Sequence, residues 1–272
     1  MQETSDTYKR IISDGDYYYD TSVTIGENGR LVDDDGGLIL FGGDAILVDT
    51  GGPESGFLAT GSPDDSLFKV ETTQEVFKDS NPSVGSAIAG EVDISMIAPY
   101  NIPRKGRICI YIRARNDTEN SEWLQQGVYF IDTREQTNAG GDFERLTLHG
   151  YDAMLLSEVT YPSDNAHDYP LLDKTMVQFI ADNMKIDPDG RGIQVDPRTW
   201  DIMTAGYKFP LPVGYSMREV LCMIAAAYAG NFIISPTGEL RLVSMFDLPP
   251  ETRHLITDDG YKITFGGDYI LV

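Results

Sequence analysis

Between Asn81 and Leu156 the chain alternates apolar and polar residues in four successive runs separated by turn chemistry. In GRICIYIRAR, Ile108, Ile110 and Ile112 fall on one side, and Cys109, Tyr111 and Arg113 on the other. A strand turns successive side chains to opposite faces, so this spacing predicts a strand with one buried face. In the run before it, Val92, Ile94 and Met96 alternate with Glu91, Asp93 and Ser95. In the run after it, Tyr129 and Ile131 alternate with Val128, Phe130 and Asp132, which predicts a strand covered on both faces. The last run, FERLTLHGYDAMLL, changes period at Tyr151–Leu156 and predicts a short helical turn there. Strands this short and this close in sequence fit an antiparallel barrel or sandwich.

The same runs carry a resemblance. NPSVGSAIAGEVDISM, YNIPRKGRICIYIRA, SEWLQQGVYFIDTRE and LTLHGYDAMLLSE, in that order, resemble the N-terminal part of baseplate hub proteins of long-tailed bacteriophages and prophages. RTWDIMTAGYKFPLPVGYSMREVLCMIAAAYAGNFIISPTGELRLV resembles the helical insertion beside the first barrel of those proteins. The likeness runs over residues 1–25 and 66–247. It implies a mainly β, α+β chain: an antiparallel tail-tube-like β-barrel with an inserted small α+β subdomain. It implies a structural role at the tail tip, docking on the tail tube and helping to form the DNA-conducting channel. It also implies a homotrimer with the tail tube, distal tail and other tail-tip proteins as partners, located in the virion after assembly in the bacterial host cytoplasm. Members of that family supply two similar barrels per subunit. This chain reaches Val272 soon after the α+β unit without a second one.

The expected division is a barrel over 1–156, an α+β subdomain over 157–250 and a terminal hairpin over 251–272. In the second region, Asp173 is placed to cap a helix from Lys174 to Met184, with Met176, Phe179, Ile180 and Met184 on its apolar face. Ser216 and Glu219 form a capping box opening a helix through Tyr228 that Gly230 stops. Near the N-terminus, Ser5–Ser13 reads as a short helix, and Tyr17–Tyr19 lead into the strand-forming TSVTI.

Residues 26–65 depart from the hub pattern as a Gly- and Asp-rich insert. Leu31–Val48 and Leu255–Val272 are near copies, with twelve identities in eighteen positions: Leu31, Asp34, Asp35, Gly36, Ile39, Phe41, Gly42, Gly43, Asp44, Ile46, Leu47 and Val48. This predicts one β-hairpin used twice. Asp33–Asp35 and IDPDGRG at 186–192 lack the ligand spacing of a calcium loop and read as tight turns.

Forty-three acidic against twenty-one basic residues give a net charge of −22, which repels phosphates and argues against sequence-specific nucleic-acid binding. No run of eighteen apolar residues is present, so no membrane insertion is expected. Cys109 and Cys222 read as buried thiols. His149, His167 and His254 have no partner at metal-ligand spacing. No nucleophile, phosphate-loop or zinc-peptidase motif occurs, and Glu91, Asp93 and Asp132 read as solvated strand carboxylates. The expectation is therefore no enzyme, no catalytic residue, no metal and no cofactor. A tail-associated cell-wall hydrolase and a carbohydrate-binding adhesion module are the alternatives.

Site residues are expected at subunit contacts. Arg104, Lys105, Arg107, Arg113 and Arg115 form the densest basic cluster, and Trp123 and Tyr129 are candidate interface anchors. In a chain this acidic, bases belong where copies meet, and the acids belong on the outer surface or the channel lining. Reversing Arg113 and Arg115 to Glu is expected to weaken assembly and leave the fold of the single chain largely intact.

Overall fold

The computed structural model describes residues 4–26, 40–41, 44–45, 53–62, 65–77, 82–97, 106–138, 144–162, 168–185, 192–245, 264–265 and 268–269. Helix α1 (Asp6–Asp14) opens on Ser5, whose hydroxyl accepts the Tyr8 N–H at 3.1 Å, and closes on Gly15 at φ 79°. The helix thus lies where Ser5–Ser13 reads as one, with a serine cap at its start and a left-handed glycine at its end. Strand β1 (Tyr18–Gly26) follows, then the hairpin pair β2 (Leu40–Phe41) and β3 (Asp44–Ala45), then β4 (Phe57–Ala59), β5 (Leu67–Thr73), β6 (Glu91–Ile97), β7 (Arg107–Arg115), β8 (Leu124–Asn138) and β9 (Glu144–Asp152).

Seven of these strands make one antiparallel sheet in the order β4-β1-β7-β8-β9-β6-β5. Its edge strands β4 and β5 come together, so the sheet curls into a nearly closed barrel. One apolar cluster fills it: Val23, Phe57, Leu67, Val92, Ile94, Met96, Ile108, Ile110, Tyr129, Ile131, Leu146 and Leu148. The inward residues are those that the period-two pattern selects, except that Ile112 is only half-buried. Strand β8 is covered on both sides, as its composition predicts. Tyr129 and Ile131 face the barrel interior, while Phe130 packs against the second apolar cluster.

The second cluster belongs to a smaller unit. It comprises a 3₁₀ turn (Ala153–Glu158), β10 (Leu171–Leu172), α2 (Asp173–Asn183), α3 (Arg198–Ile202), β11 (Lys208–Phe209), α4 (Met217–Ala227), β12 (Gly230–Ile234) and β13 (Leu240–Ser244). Helices α2 and α4 press Met176, Val177, Ile180, Val220, Leu221 and Ile224 onto Phe232, Ile234, Leu240 and Leu242 of the β12–β13 hairpin.

Three details differ from the sequence reading. The stretch before Glu91 is not the start of β6. Its Gly85 N–H donates to Gly230 O at 2.8 Å, Phe232 N–H donates to Ser86 O at 2.8 Å, and Ala87 lies in the second cluster. Small residues permit this close approach, since a Cβ on Gly85 would stand 3.0 Å from that of Ala226. Next, Asp173 is the first residue of α2 rather than its cap. Its carboxylate accepts the Lys174 N–H at 2.7 Å and the Tyr207 N–H at 2.9 Å, fixing the 207 loop to the helix. Finally, α4 ends with Ala229 in the left-handed region, φ 47°. Gly230 is glycine for another reason, because a Cβ there would lie 2.6 Å from Val243 O.

The repeat in the sequence is a repeat in structure where the chain is described. Phe41 pairs Asp44 and Leu40 pairs Ala45; β14 (Thr264–Phe265) and β15 (Asp268–Tyr269) pair Phe265 with Asp268 and Thr264 with Tyr269. The corresponding residues of the two copies therefore pair in the same register.

Candidate interaction surface

The antiparallel register of β1 and β7 sets Asp20 opposite Arg113, Ser22 opposite Tyr111, Thr24 opposite Cys109 and Gly26 opposite Arg107. Alternation sends these residues outward, away from Val23, Ile108 and Ile110. Several are buried all the same: Asp20 is 1% exposed and Thr24 2%. The segment returning from the insert covers them. The Ser22 hydroxyl donates to Pro53 O at 2.6 Å, and Gly56 lies so close that a Cβ would stand 2.4 Å from Ser22 Oγ.

A charged network fastens this cover. Asp20 accepts Arg113 Nε at 3.0 Å and Arg115 Nε at 2.6 Å. Arg113 also reaches Glu54 at 3.2 Å, and the Trp123 indole N–H donates to the same carboxylate at 2.7 Å. The Arg113 guanidinium sits 4.4 Å from the centre of the Trp123 ring. Arg115 donates to Thr60 O at 2.7 Å and lies over Tyr18. A buried carboxylate is tolerable only when paired, and two guanidinia pair this one. Arg113, Arg115 and Trp123 thus latch residues 53–60 to the barrel within a single chain. Asp20 and Glu54 are the members that sequence reasoning missed. The available signal was an Asp inside YYYDTSVTI, since Asp is a poor strand former with no place in a covered strand unless a cation meets it.

The remaining site expectations fall as follows. Tyr129 lies in the barrel interior, 5% exposed, with its phenol pushed up to about 12 by burial and then by the nearby Asp152 charge. It has no surface to offer as an interface anchor. Arg104 and Lys105 lie outside the described residues, as do Asp33–Asp35, His167, His254 and residues 186–191. Arg107 is half-buried, and its Nε is buried with no hydrogen-bond partner. His149 Nδ1 is 2.9 Å from Asp93, and its ring meets that of Tyr151 edge-on. Glu91, Asp93 and Asp132 are exposed. Cys109 is buried and Cys222 half-buried, with no disulfide between them.

The other buried carboxylates are occupied as structural acceptors. Asp152 takes the Gly90 N–H at 2.8 Å and the Met154 N–H at 2.9 Å; burial raises its pKa to about 6. Burial also pushes Asp196 upward, but the Arg198 guanidinium, bound through both carboxylate oxygens with Arg241 beyond it, holds it below the ordinary carboxylate value. Asp173 takes the Tyr228 hydroxyl in addition to its two N–H donors, and burial and that bond push the Tyr228 phenol to about 12. What this arrangement does is hold segments together.

No family model and no curated protein matches the chain. Among solved structures it is similar to the 43 kDa tail protein of prophage MuSo2 from Shewanella oneidensis, at 11% identity and a TM-score of 0.45 over 82% of this chain and 53% of that one. It is similar to a tail protein from Neisseria meningitidis MC58, at 14% identity and a TM-score of 0.42 over 86% and 53%. It is also similar to a chain of the Francisella PdpA–VgrG complex, at 10% identity and a TM-score of 0.41 over 85% and 29%. The chain spans about half the length of the two tail proteins.

Proposed function

We propose that this chain is a structural component of a phage or prophage tail tip, a baseplate hub subunit that docks its barrel on the tail tube and lines part of the DNA channel. The observation that carries this reading is the order of parts. A curled antiparallel sheet is followed directly, from Asp152 into Ala153, by an α+β unit with its own core, in the sequence that the hub resemblance implies. Its buried carboxylates are spent on holding segments together, which suits a scaffold. On this reading the subunits form a homotrimer around the channel, and the divisions at 1–156, 157–250 and 251–272 are its building blocks. The excess of acid lines the channel and the outer surface, where it repels passing DNA. The test is co-purification with the tail-tube protein encoded beside it. Electron microscopy is expected to show rings capping one end of the tubes; tubes left bare, or a protein that degrades cell-wall material in zymography, overturn the proposal.

A further inference from the structure

The smaller unit carries apolar side chains on its surface along one segment, from Tyr207 to Tyr215. Phe209 and Leu211 turn inward onto its core, whereas Val213 is 76% exposed and Tyr207 and Tyr215 are each 45% exposed. The segment is tied at both ends. Lys208 pairs with Leu172, itself exposed, and Tyr215 O accepts the Tyr161 N–H at 2.8 Å. Beside the second tie Val159 is 64% exposed, and its carbonyl accepts the Met217 N–H at 2.9 Å. Between the ties, Pro210 and Pro212 fix two φ angles, and the Val213 N–H donates to Leu211 O at 3.0 Å. A stiff backbone therefore holds these apolar side chains outward.

Charge sets the same segment apart. From Ile202 to Gly238 the chain holds one acid, Glu219, where the chain-wide proportion would place about six. That acid is engaged by the Ser216 N–H at 2.7 Å. The other long acid-free run, 94–116, falls in its described part largely within β6 and β7 of the barrel, where Arg113 and Arg115 are paired with Asp20. Apolar side chains grouped on a surface mark a contact site, and a preordered backbone lowers the entropy lost on binding. Copies of a chain at −22 repel one another wherever acids face acids, so they meet with least repulsion through an acid-poor face. Lys208, exposed beside Leu172, places a cation at the rim of that face, and a second copy is rich in carboxylates to meet it. We propose that the face built by Val159, Leu172, Tyr207, Val213 and Tyr215 docks on a second copy of this chain, with Lys208 taking one of its carboxylates. This rests on the self-association in the hub reading, and names the residues that make the contact.

The experiment uses the full chain. Sedimentation velocity across a concentration series compares the unchanged protein with Val213→Glu and Val213→Ile, with circular dichroism confirming that each folds. Val213→Glu is expected to weaken self-association about tenfold or more, and Val213→Ile to keep it. Lys208 supplies a second readout in the unchanged protein. A water-soluble carbodiimide activates a carboxylate in contact with the Lys208 amine; the amine displaces the activated group, an amide bond forms, and the reagent leaves as its urea. Mass spectrometry is expected to find Lys208 joined to an Asp or Glu in the oligomer band. Equal association of Val213→Glu and the unchanged protein, or Lys208 cross-links confined to the monomer band, overturns the inference and leaves the hub reading standing. An unchanged protein that stays monomeric at every concentration overturns both.

Discussion

Asp152 binds Gly90 twice: its carboxylate accepts the Gly90 N–H at 2.8 Å, and its own N–H donates to Gly90 O at 2.9 Å. The chain enters β6 from the smaller unit just after Gly90, and leaves β9 for that unit just after Asp152. One residue pair therefore ties together two crossings between the cores. The carboxylate is 4% exposed, and burial is the first cause of its raised pKa of about 6. Burial thus makes the charged form costlier than that of an exposed carboxylate, despite two N–H donors that favour it.

This sets a pH dependence. The folded pKa is above the unfolded value of 3.8, so the Asp152 proton adds stability in full below pH 3.8, and that contribution is lost as pH rises through about 6. Between pH 5 and pH 8 the unchanged protein should lose roughly 1 kcal/mol relative to Asp152→Asn. Urea unfolding of both proteins at the two pH values measures the difference. The lowered Asp196 acts with opposite sign: its contribution is present above the unfolded pKa and is lost as pH falls through the folded one.

Gly90→Ala probes the same tie sterically. The new Cβ would stand 2.8 Å from Asp152 Oδ2 and 3.3 Å from Thr73 O. The carboxylate cannot retreat without giving up an N–H, so the substitution should cost about 1–3 kcal/mol. Thermal unfolding reads the loss; an unchanged midpoint would show that the junction is loose.

Helix α4 offers a pair of substitutions with opposite signs. The Ser216 hydroxyl accepts the Glu219 N–H at 3.1 Å, and Glu219 returns the bond to the Ser216 N–H at 2.7 Å. Ser216→Ala should cost about 1 kcal/mol. At the other end, Ala229 holds φ 47°, which an L side chain resists, so Ala229→Gly should gain roughly 0.5–1 kcal/mol. Chemical denaturation of the two variants should move the midpoint in opposite directions.

Local signals in the sequence proved reliable where physics is local. Ser5 and Gly15 bound α1, Ser216 and Glu219 open α4, and the two copies of the repeat pair Phe41 with Asp44 and Phe265 with Asp268 alike. Period-two alternation gave the barrel interior because each strand has one neighbour on that side. The small stretch before Glu91 read as strand for the same reason, since alternation does not say which core a strand joins. Its partner is β12, and Ser86 meets Asn231 across a separation of 145 positions. The basic cluster was visible as charge, but its acceptor was not. Asp20 meets Arg113 only through the β1–β7 register, and Glu54 only through a segment crossing the outer face.

That acceptor changes what reversal of the cluster does. With Arg113 and Arg115 as the cations on Asp20, replacing both by Glu sets three carboxylates within one strand pair, one of them 1% exposed. Removing one partner from a buried pair costs about 3–5 kcal/mol, and like charges add to it. The Glu54 contacts that hold residues 53–60 would go as well. Arg113→Glu with Arg115→Glu should therefore unfold the single chain or strip its outer cover, contrary to the expectation from sequence alone that folding survives. The cation–π contact with Trp123 gives a spectroscopic handle: indole fluorescence should shift to the red and become quenchable by iodide as the ring is released. Adding Asp20→Arg restores one cation against two acids and should recover part of the lost stability, on the order of 1–2 kcal/mol. A double reversal that keeps the unchanged protein's unfolding midpoint and indole spectrum would mean that Asp20 does not depend on these two arginines.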